Sequence, residues 1–206
     1  MSPATISRHE RERENCRLQI LDAAEEIFST RGYSGATIED IAGRAGFFVG
    51  GIYNFFKGKQ DLFDQVLHRI AQSRIDDLDQ WVFPLAGRPW EALRLLCRLW
   101  VAHHEKHLVF LHVVIGSKMS GGTEGLPRDD KGQCLVETYT RRSLEFFTLF
   151  VRDAGIRDFT PTECHHLFEG VGRSMLYHHN RPGSPLAVAE PLDQTFYDLL
   201  ARLFRR

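Results

Sequence analysis

Hydrophobic positions recur along almost the whole chain at the three- to four-residue spacing of an α-helix, and no segment of the sequence sustains a period-two alternation. The first stripe contains Leu18, Leu21 and Ala24 and stops at Gly32, a residue suited to the end of a helix. The last stripe consists of Leu192, Phe196, Leu199, Leu200 and Leu203. With the stripes between them, the pattern predicts an all-α fold of about nine helices, including a short buried helix at 108–115 and a glycine-rich loop at 116–133.

Two helix starts are marked by capping residues. Thr37 is followed three positions later by Asp40, and the short helix that they begin is predicted to end at Gly46. The letters TPTE at 160–163 combine a capping threonine, a proline in the first turn and a glutamate at the third position. Both signals are local, and they predict helices that begin at about 38 and 161.

The stretch GFFVGGIYNFF at 46–56 permits two interpretations. Its two adjacent glycines between aromatic residues are typical of a tight turn in a β-hairpin, but the sequence offers no other strand for such a hairpin to join. As a helix, each glycine costs about 1 kcal/mol relative to alanine, which a close approach of another surface would explain. A capped helix before this stretch and Lys57-Gly-Lys59 after it favour a helix-turn-helix, although a plain corner of a helical bundle has the same pattern.

Four motifs follow one another in fixed order between residues 20 and 67. They read I-L-x-A-A-x-x-x-F, then R-G-Y, then T-x-x-x-I-A-x-x-A-G, then G-x-I-Y-x-x-F-x-x-K-x-x-L. This segment resembles the N-terminal DNA-binding domain of the tetracycline-repressor (TetR) family. The remainder is similar to the family in its length and its all-helical pattern.

The resemblance implies a domain organisation and a function. We expect a flexible N-terminal arm at 1–13, a three-helix DNA-binding domain at 14–60 with its helix-turn-helix at about 37–56, and a helical bundle for ligand binding and dimerisation at 61–206. The implied function is that of a ligand-responsive transcriptional regulator, a repressor that binds a palindromic operator as a homodimer and is released by a small molecule. The implied partners are therefore double-stranded DNA, a second copy of the chain and a small-molecule effector.

The resemblance also assigns roles to single residues. Thr37 would cap the second helix and bring backbone N–H groups to a phosphate, Tyr53 and Lys59 would contact phosphates, and Asn54 could pair with an adenine edge. The full set expected at the DNA is Thr37, Arg44, Phe48, Val49, Gly50, Gly51, Tyr53, Asn54, Lys57 and Lys59.

The sequence departs from the family at Phe48, where a small hydroxyl residue usually caps the recognition helix. Phenylalanine loses that cap, which is worth about 1 kcal/mol. Phe48 could meet a thymine methyl group or pack into the domain. Gly51 likewise lacks the side chain often present at its position, so backbone contacts and DNA shape would carry more of the recognition.

The net charge of the chain does not by itself favour DNA binding. The chain has 26 basic and 27 acidic residues, a net charge of −1, which excludes a histone-like binder but permits one basic face. Residues 1–60 hold eight Lys and Arg against eight Asp and Glu, a net charge of zero. The alternative function is therefore a TetR-fold protein that binds a ligand or a partner and has lost specific DNA binding.

Several other classes of protein are excluded by the sequence. The N-terminus has no apolar segment of the signal-peptide kind, and the longest apolar run is far shorter than the ~20 residues that span a bilayer. The four cysteines are scattered along the sequence. We therefore expect a cytoplasmic protein with no membrane partner. His103 and His107 have a spacing that can hold a metal, but no further ligand follows at a suitable distance, and we expect no metal and no cofactor. No nucleophile elbow or phosphate-binding loop occurs, which argues against an enzyme.

The second domain is rich in aromatic residues. Most of them are expected in its core. We also expect a mostly apolar ligand chamber, in which His104 or His112 supplies a polar contact. Its wall is expected to include Trp100, His104, Phe110, His112, Phe146, Phe150 and Met175. The last two helices are expected to form the dimer interface through Gly170, Gly172, Phe196, Leu199, Leu200 and Leu203.

Overall fold

The structure, a computed structural model, describes residues 7–107, 134–179 and 191–205. These ranges contain eight α-helices. They are α1 (Arg8–Gly35), α2 (Ile38–Ala45), α3 (Val49–Ile52), α4 (Lys59–Asp77), α5 (Pro89–Lys106), α6 (Leu135–Ala154), α7 (Pro161–His179) and α8 (Leu192–Phe204). The expected all-α fold is confirmed, while the helix expected at 108–115 and the loop at 116–133 lie outside the described residues.

Helix α1 begins earlier than the sequence pattern indicated. Ser7 Oγ accepts a hydrogen bond from the backbone N–H of Glu10 at 3.2 Å, and the Glu10 carboxylate accepts one from the backbone N–H of Ser7 at 2.8 Å. This reciprocal cap satisfies two backbone donors of the first turn, so residues 8–13 are helical where a flexible arm was expected. Gly32 adopts φ 68° as the sequence suggested for a helix end, but one more turn follows it.

The described residues form two compact units, 7–70 and 71–205 with the gaps given above. The core of the first unit is built from α1, α2, α3 and the beginning of α4. Leu62, Phe63 and Val66 of α4 are buried in this core beside residues of α1 such as Ile20 and Phe28, so the first unit extends to Ile70 and not only to residue 60.

The second unit is a helical bundle with an aromatic core. α5, α6, α7 and α8 contribute fully buried rings, namely those of Trp100, Phe147, Phe150, Phe168 and Phe196. Ahead of α5, the end of α4 widens into a π-helical turn at Leu78–Val82 and closes with a 3₁₀ turn at Phe83–Leu85, because Pro84 has no N–H with which to continue the ladder.

Candidate nucleic-acid interface

Helix α2 is fixed at both ends by the residues that the sequence indicated. Thr37 Oγ1 accepts from the backbone N–H of Asp40 at 3.1 Å, and the Asp40 carboxylate accepts from the backbone N–H of Thr37 at 3.3 Å. At the other end Gly46 takes the left-handed conformation with φ 75°, which a residue with a side chain rarely adopts. The capped helix and its glycine stop are confirmed.

The stretch at 46–56 is a turn followed by a short helix and not a hairpin. Phe48 is the N-cap of α3 and makes no side-chain hydrogen bond there, as expected from the loss of a hydroxyl. Ile52 and Phe56 are buried in the core of the first unit and anchor the inner face of this segment. A helix, a turn and a second helix thus form the expected helix-turn-helix.

The outer face of this segment carries the residues expected at DNA. Phe48 is 92% exposed, so it does not pack into the domain, which was one of the two possibilities left open by the sequence. Tyr53 is 56% exposed, Asn54 is also exposed, and Val49 is half-buried against the core.

The two glycines of α3 are not required by packing within the chain. A Cβ atom built at Gly50 would meet nothing within 4 Å, and one at Gly51 would meet only the Phe47 side chain at an ordinary contact distance of 3.6 Å. Packing within the chain therefore does not explain why glycine stands at either position.

The basic residues expected at DNA are in three different situations. Arg44 is paired with the Glu26 carboxylate through Nε–Oε1 and Nη2–Oε2 contacts of 2.8 and 2.5 Å. Hydrogen bonding from Arg44 lowers the pKa of Glu26. Lys59 donates from Nζ to the backbone carbonyls of Tyr33 and Ala36 at 3.0 and 3.1 Å. Lys57 is exposed.

A second arginine of this unit is also paired within the chain. Arg31 Nη1 lies 2.6 Å from Asp40 Oδ1, on the helix-capping carboxylate itself. Much of the positive charge near α2 is therefore balanced by carboxylates of the same chain, which the neutral composition of residues 1–60 anticipated.

Several bacterial regulators are similar to this chain. TtgW, an uncharacterized HTH-type transcriptional regulator of Pseudomonas putida, is 33% identical over 106 residues, which are 50% of this chain and 75% of TtgW. Residues 20–66 match the family model described as bacterial regulatory proteins, tetR family. The chain belongs to the TetR family.

Other relatives of this TetR-family chain match it over a shorter part of their length. SrpR, also of Pseudomonas putida, is 35% identical over 106 residues, 50% of this chain and 47% of SrpR, and AcrR of Shigella flexneri is 38% identical over 86 residues, 40% and 39% of the two chains. The chain thus spans about half or less of these two curated relatives. Both are HTH-type transcriptional regulators and not enzymes, as the sequence indicated for this chain.

Solved structures share the TetR fold over most of the chain. SmeT, the repressor of a multidrug efflux pump of Stenotrophomonas maltophilia, has a TM-score of 0.63 and 19% identity over 91% of this chain and 89% of its own. A TetR/AcrR-family regulator of Thermobifida fusca has a TM-score of 0.63 and 22% identity over 92% and 98%. At these identities the similarity concerns the fold.

Within the described part of this TetR-family chain, three of the residues expected at the ligand chamber line two different clefts. Phe146 and Phe150 line a shallow cleft of about 250 Å³, open mouth included, together with residues of the α4–α5 connection and of the first turn of α5. Trp100 lines a second cleft of about 230 Å³, and Met175 packs against the core at a half-buried position. Phe110 and His112 lie outside the described residues.

The His104 side chain is buried in the interior of the second unit. Its ring stacks on Trp100 with the centroids 3.5 Å apart, and its Nδ1 is 2.8 Å from the Trp100 carbonyl oxygen. Burial, with smaller contributions from Arg74 and Arg173, lowers the pKa of His104 to about 2. The side chain is therefore a neutral part of the core.

The sequence pattern did not indicate a polar cluster around the buried Glu169 in the second unit, because its members come from four helices. Trp100 Nε1 donates to Glu169 Oε1 at 3.2 Å, and Nη2 atoms of Arg74 and Arg173 lie 3.7 and 3.6 Å from the same carboxylate. The Arg74 guanidinium also lies 3.8 Å from the centre of the Tyr139 ring. Arg74 and Tyr139 line the same cleft as Trp100.

The residues expected at the dimer interface divide into two groups. Gly172, Phe196 and Leu200 are buried in the core of their own chain, because the ring of Phe196 and that of Trp100 close over Gly172. Gly170 and Leu199 are exposed, and Leu203 is half-buried. Only this second group remains available for contact with a partner.

The described residues also bear on metal and membrane partners. Among them, no three side chains of His, Cys, Asp or Glu are grouped so that they could hold a metal ion. His103 instead has its Nε2 2.7 Å from Asp77 Oδ2. Within the same ranges no helix is long and apolar enough to cross a bilayer.

Proposed function

We propose that this protein is a ligand-responsive transcriptional repressor that binds a palindromic operator as a homodimer and is released by a mostly apolar small molecule. The observation that carries the proposal is the capped helix α2, the left-handed turn at Gly46 and the outward face of α3 in a chain of the TetR family. In a helix-turn-helix the second helix lies in the major groove. The repressor role is supported by similarity to SmeT, which is a repressor.

Selection of bound duplexes from random DNA tests the operator. A homodimer places its two recognition helices about one turn of DNA apart, ~34–36 Å, so we expect a palindrome with that half-site spacing. Tyr53→Phe removes one hydroxyl expected at a phosphate and should weaken binding to selected and unrelated duplexes alike. If no sequence is enriched, the alternative of a TetR-fold protein without specific DNA binding replaces the proposal.

The outward positions of α7 and α8 support the dimer. Leu199 is 45% exposed and Leu203 lies one turn further along the same helix, while Gly170 leaves room on α7 for a close approach. Light scattering should give twice the mass of the 206-residue chain. Leu199→Glu places a charge in this face and should shift the mass toward the monomer, whereas a mass unaffected by the substitution would remove α8 from the interface.

The aromatic wall of the second unit supports an effector site. Phe146 and Phe150 line a cleft whose other described walls are mostly apolar, which suits a ligand with little polar surface. A set of apolar aromatic compounds should contain molecules that raise the unfolding temperature and weaken operator binding. Phe150→Ala should abolish both effects together, and a ligand that stabilises the variant as well as the parent would show that it binds elsewhere.

A further inference from the structure

An exposed aromatic ring stands at the beginning of the recognition helix. At 92% exposure Phe48 is the most exposed large hydrophobic residue among those the structure describes, ahead of Tyr53 and Tyr177 at 56%. It has no cap hydrogen bond to make and no core to fill. A ring that neither caps its helix nor packs in its own domain is available for contact with another molecule.

The neighbours of Phe48 add no hydrogen-bonding side chain to this surface. Val49, Gly50 and Gly51 have only an aliphatic side chain or none, and packing within the chain does not demand either glycine. Asn54 is the exposed residue of the segment that can pair bidentately with an adenine edge. The first turn of α3 therefore presents apolar atoms and bare backbone.

The apolar feature of the major groove is the C5 methyl group of thymine. On the basis of the DNA binding proposed above, we propose that Phe48, assisted by Val49, recognises a thymine in each half-site by packing against its C5 methyl group. The recognition helix of a helix-turn-helix lies in the major groove, where this methyl group is exposed, whereas side chains that insert between base steps are typical of minor-groove proteins. The operator should then be specified in part by methyl groups and not by hydrogen bonds from side chains of the first turn.

Replacing thymine by deoxyuridine tests the contact, since it removes the methyl group and keeps every hydrogen-bonding atom of the base. Duplexes carrying the selected operator are made with one symmetric pair of thymines replaced at a time, and affinities are measured by fluorescence anisotropy. Burying one methyl group contributes a factor of about 4, so replacement in both half-sites should weaken binding about 15-fold at one thymine position. The Phe48→Ala variant should bind the thymine and the deoxyuridine duplexes nearly equally.

Two further variants separate this contact from other effects. Phe48→Ser supplies a capping hydroxyl to α3 and should also lose the sensitivity to deoxyuridine, which shows that the loss does not come from a weakened helix. Tyr53→Phe should bind more weakly but retain the full difference of about 15-fold between the two duplexes.

Three results would overturn the inference. If the protein binds its operator and no deoxyuridine replacement changes the affinity more for the parent than for Phe48→Ala, DNA binding stands and the methyl contact does not. If Phe48→Ala changes the mass of the free protein and not the sensitivity to deoxyuridine, this face contacts a second copy of the chain. If no operator is selected at all, the proposed function fails and the inference fails with it.

Discussion

Two glycines of α7, only two positions apart, are expected to respond differently to the same substitution. A Cβ atom at Gly172 would lie 2.8 Å from Trp100 Cη2 and 2.9 Å from Phe196 Cζ, while one at Gly170 would meet nothing within 4 Å. Both rings are buried, at 2% and 0% exposure, so neither can turn into solvent to make room. Gly170→Ala is therefore a matched control for Gly172→Ala.

The expected magnitudes follow from these contacts. Alanine is better than glycine in a helix interior by about 1 kcal/mol, so Gly170→Ala should raise the free energy of unfolding by up to that amount. At Gly172 the same gain is opposed by overpacking, typically ~1–3 kcal/mol, because carbon atoms pack best at about 3.5–4 Å. The two variants should thus differ by about 1–3 kcal/mol, with Gly172→Ala the less stable.

Urea denaturation followed by tryptophan fluorescence measures this difference. Dimerisation adds to apparent stability, so the comparison is made at two protein concentrations about tenfold apart. If Gly170→Ala and Gly172→Ala unfold at the same urea concentration, the close approach of α7 to Trp100 and Phe196 is refuted. A loss of dimer in Gly170→Ala alone would instead support the expected place of Gly170 in the interface.

Three further predictions concern caps, cations and pH. Thr37→Ala should lower the free energy of unfolding by about 1 kcal/mol, measured by urea denaturation, and a loss below about 0.3 kcal/mol would contradict a stabilising cap. Lys57→Met should reduce the slope of log affinity against log salt by about 1 without changing thermal stability. Lys59→Met should lower the unfolding temperature, because two backbone carbonyls lose their donor. Equal unfolding temperatures for the two variants would contradict the role of Lys59 as that donor. In the folded protein His104 stays neutral, with a pKa lowered to about 2, whereas in the unfolded chain it is protonated below about pH 6.5. Its contribution to the free energy of unfolding is therefore present above pH 6.5 and is lost as the pH falls, at ~1.4 kcal/mol per pH unit. His104→Gln should remove that part of the slope between about pH 6.5 and 5, and parallel curves for both proteins would contradict the buried neutral state.

The helix ends were predictable from the sequence because their causes are local. Thr37 and Asp40 are three positions apart and satisfy each other's backbone donors, and Gly46 supplies a conformation that few other residues adopt. The same holds for Thr160 and Glu163, whose hydrogen bonds form the expected cap of α7. Such signals require no knowledge of the rest of the fold.

The surroundings of single side chains were not predictable, because they depend on residues far away in the sequence. Gly170 and Gly172 lie on the same helix and look alike in the sequence. Only the positions of Trp100 and Phe196 place Gly172 inside the core. Lys59 follows the family motif, yet its ammonium group is used by carbonyls at the end of α1. A periodic pattern gives the faces of a helix but not what each face meets.

The pairing of cations in the first unit bears on how a regulator of this kind achieves specificity. Non-specific affinity for duplex DNA grows with the number of phosphates that lysine and arginine neutralise. Arg31 and Arg44 are bound to carboxylates of their own chain and would have to leave them to reach a phosphate. A contact between Phe48 and a thymine methyl group, by contrast, does not release counterions and is lost on other sequences. We therefore expect a slope of log affinity against log salt shallower than that of proteins with about 6–10 phosphate contacts, and a slope as steep as theirs would show that these ion pairs open at the DNA.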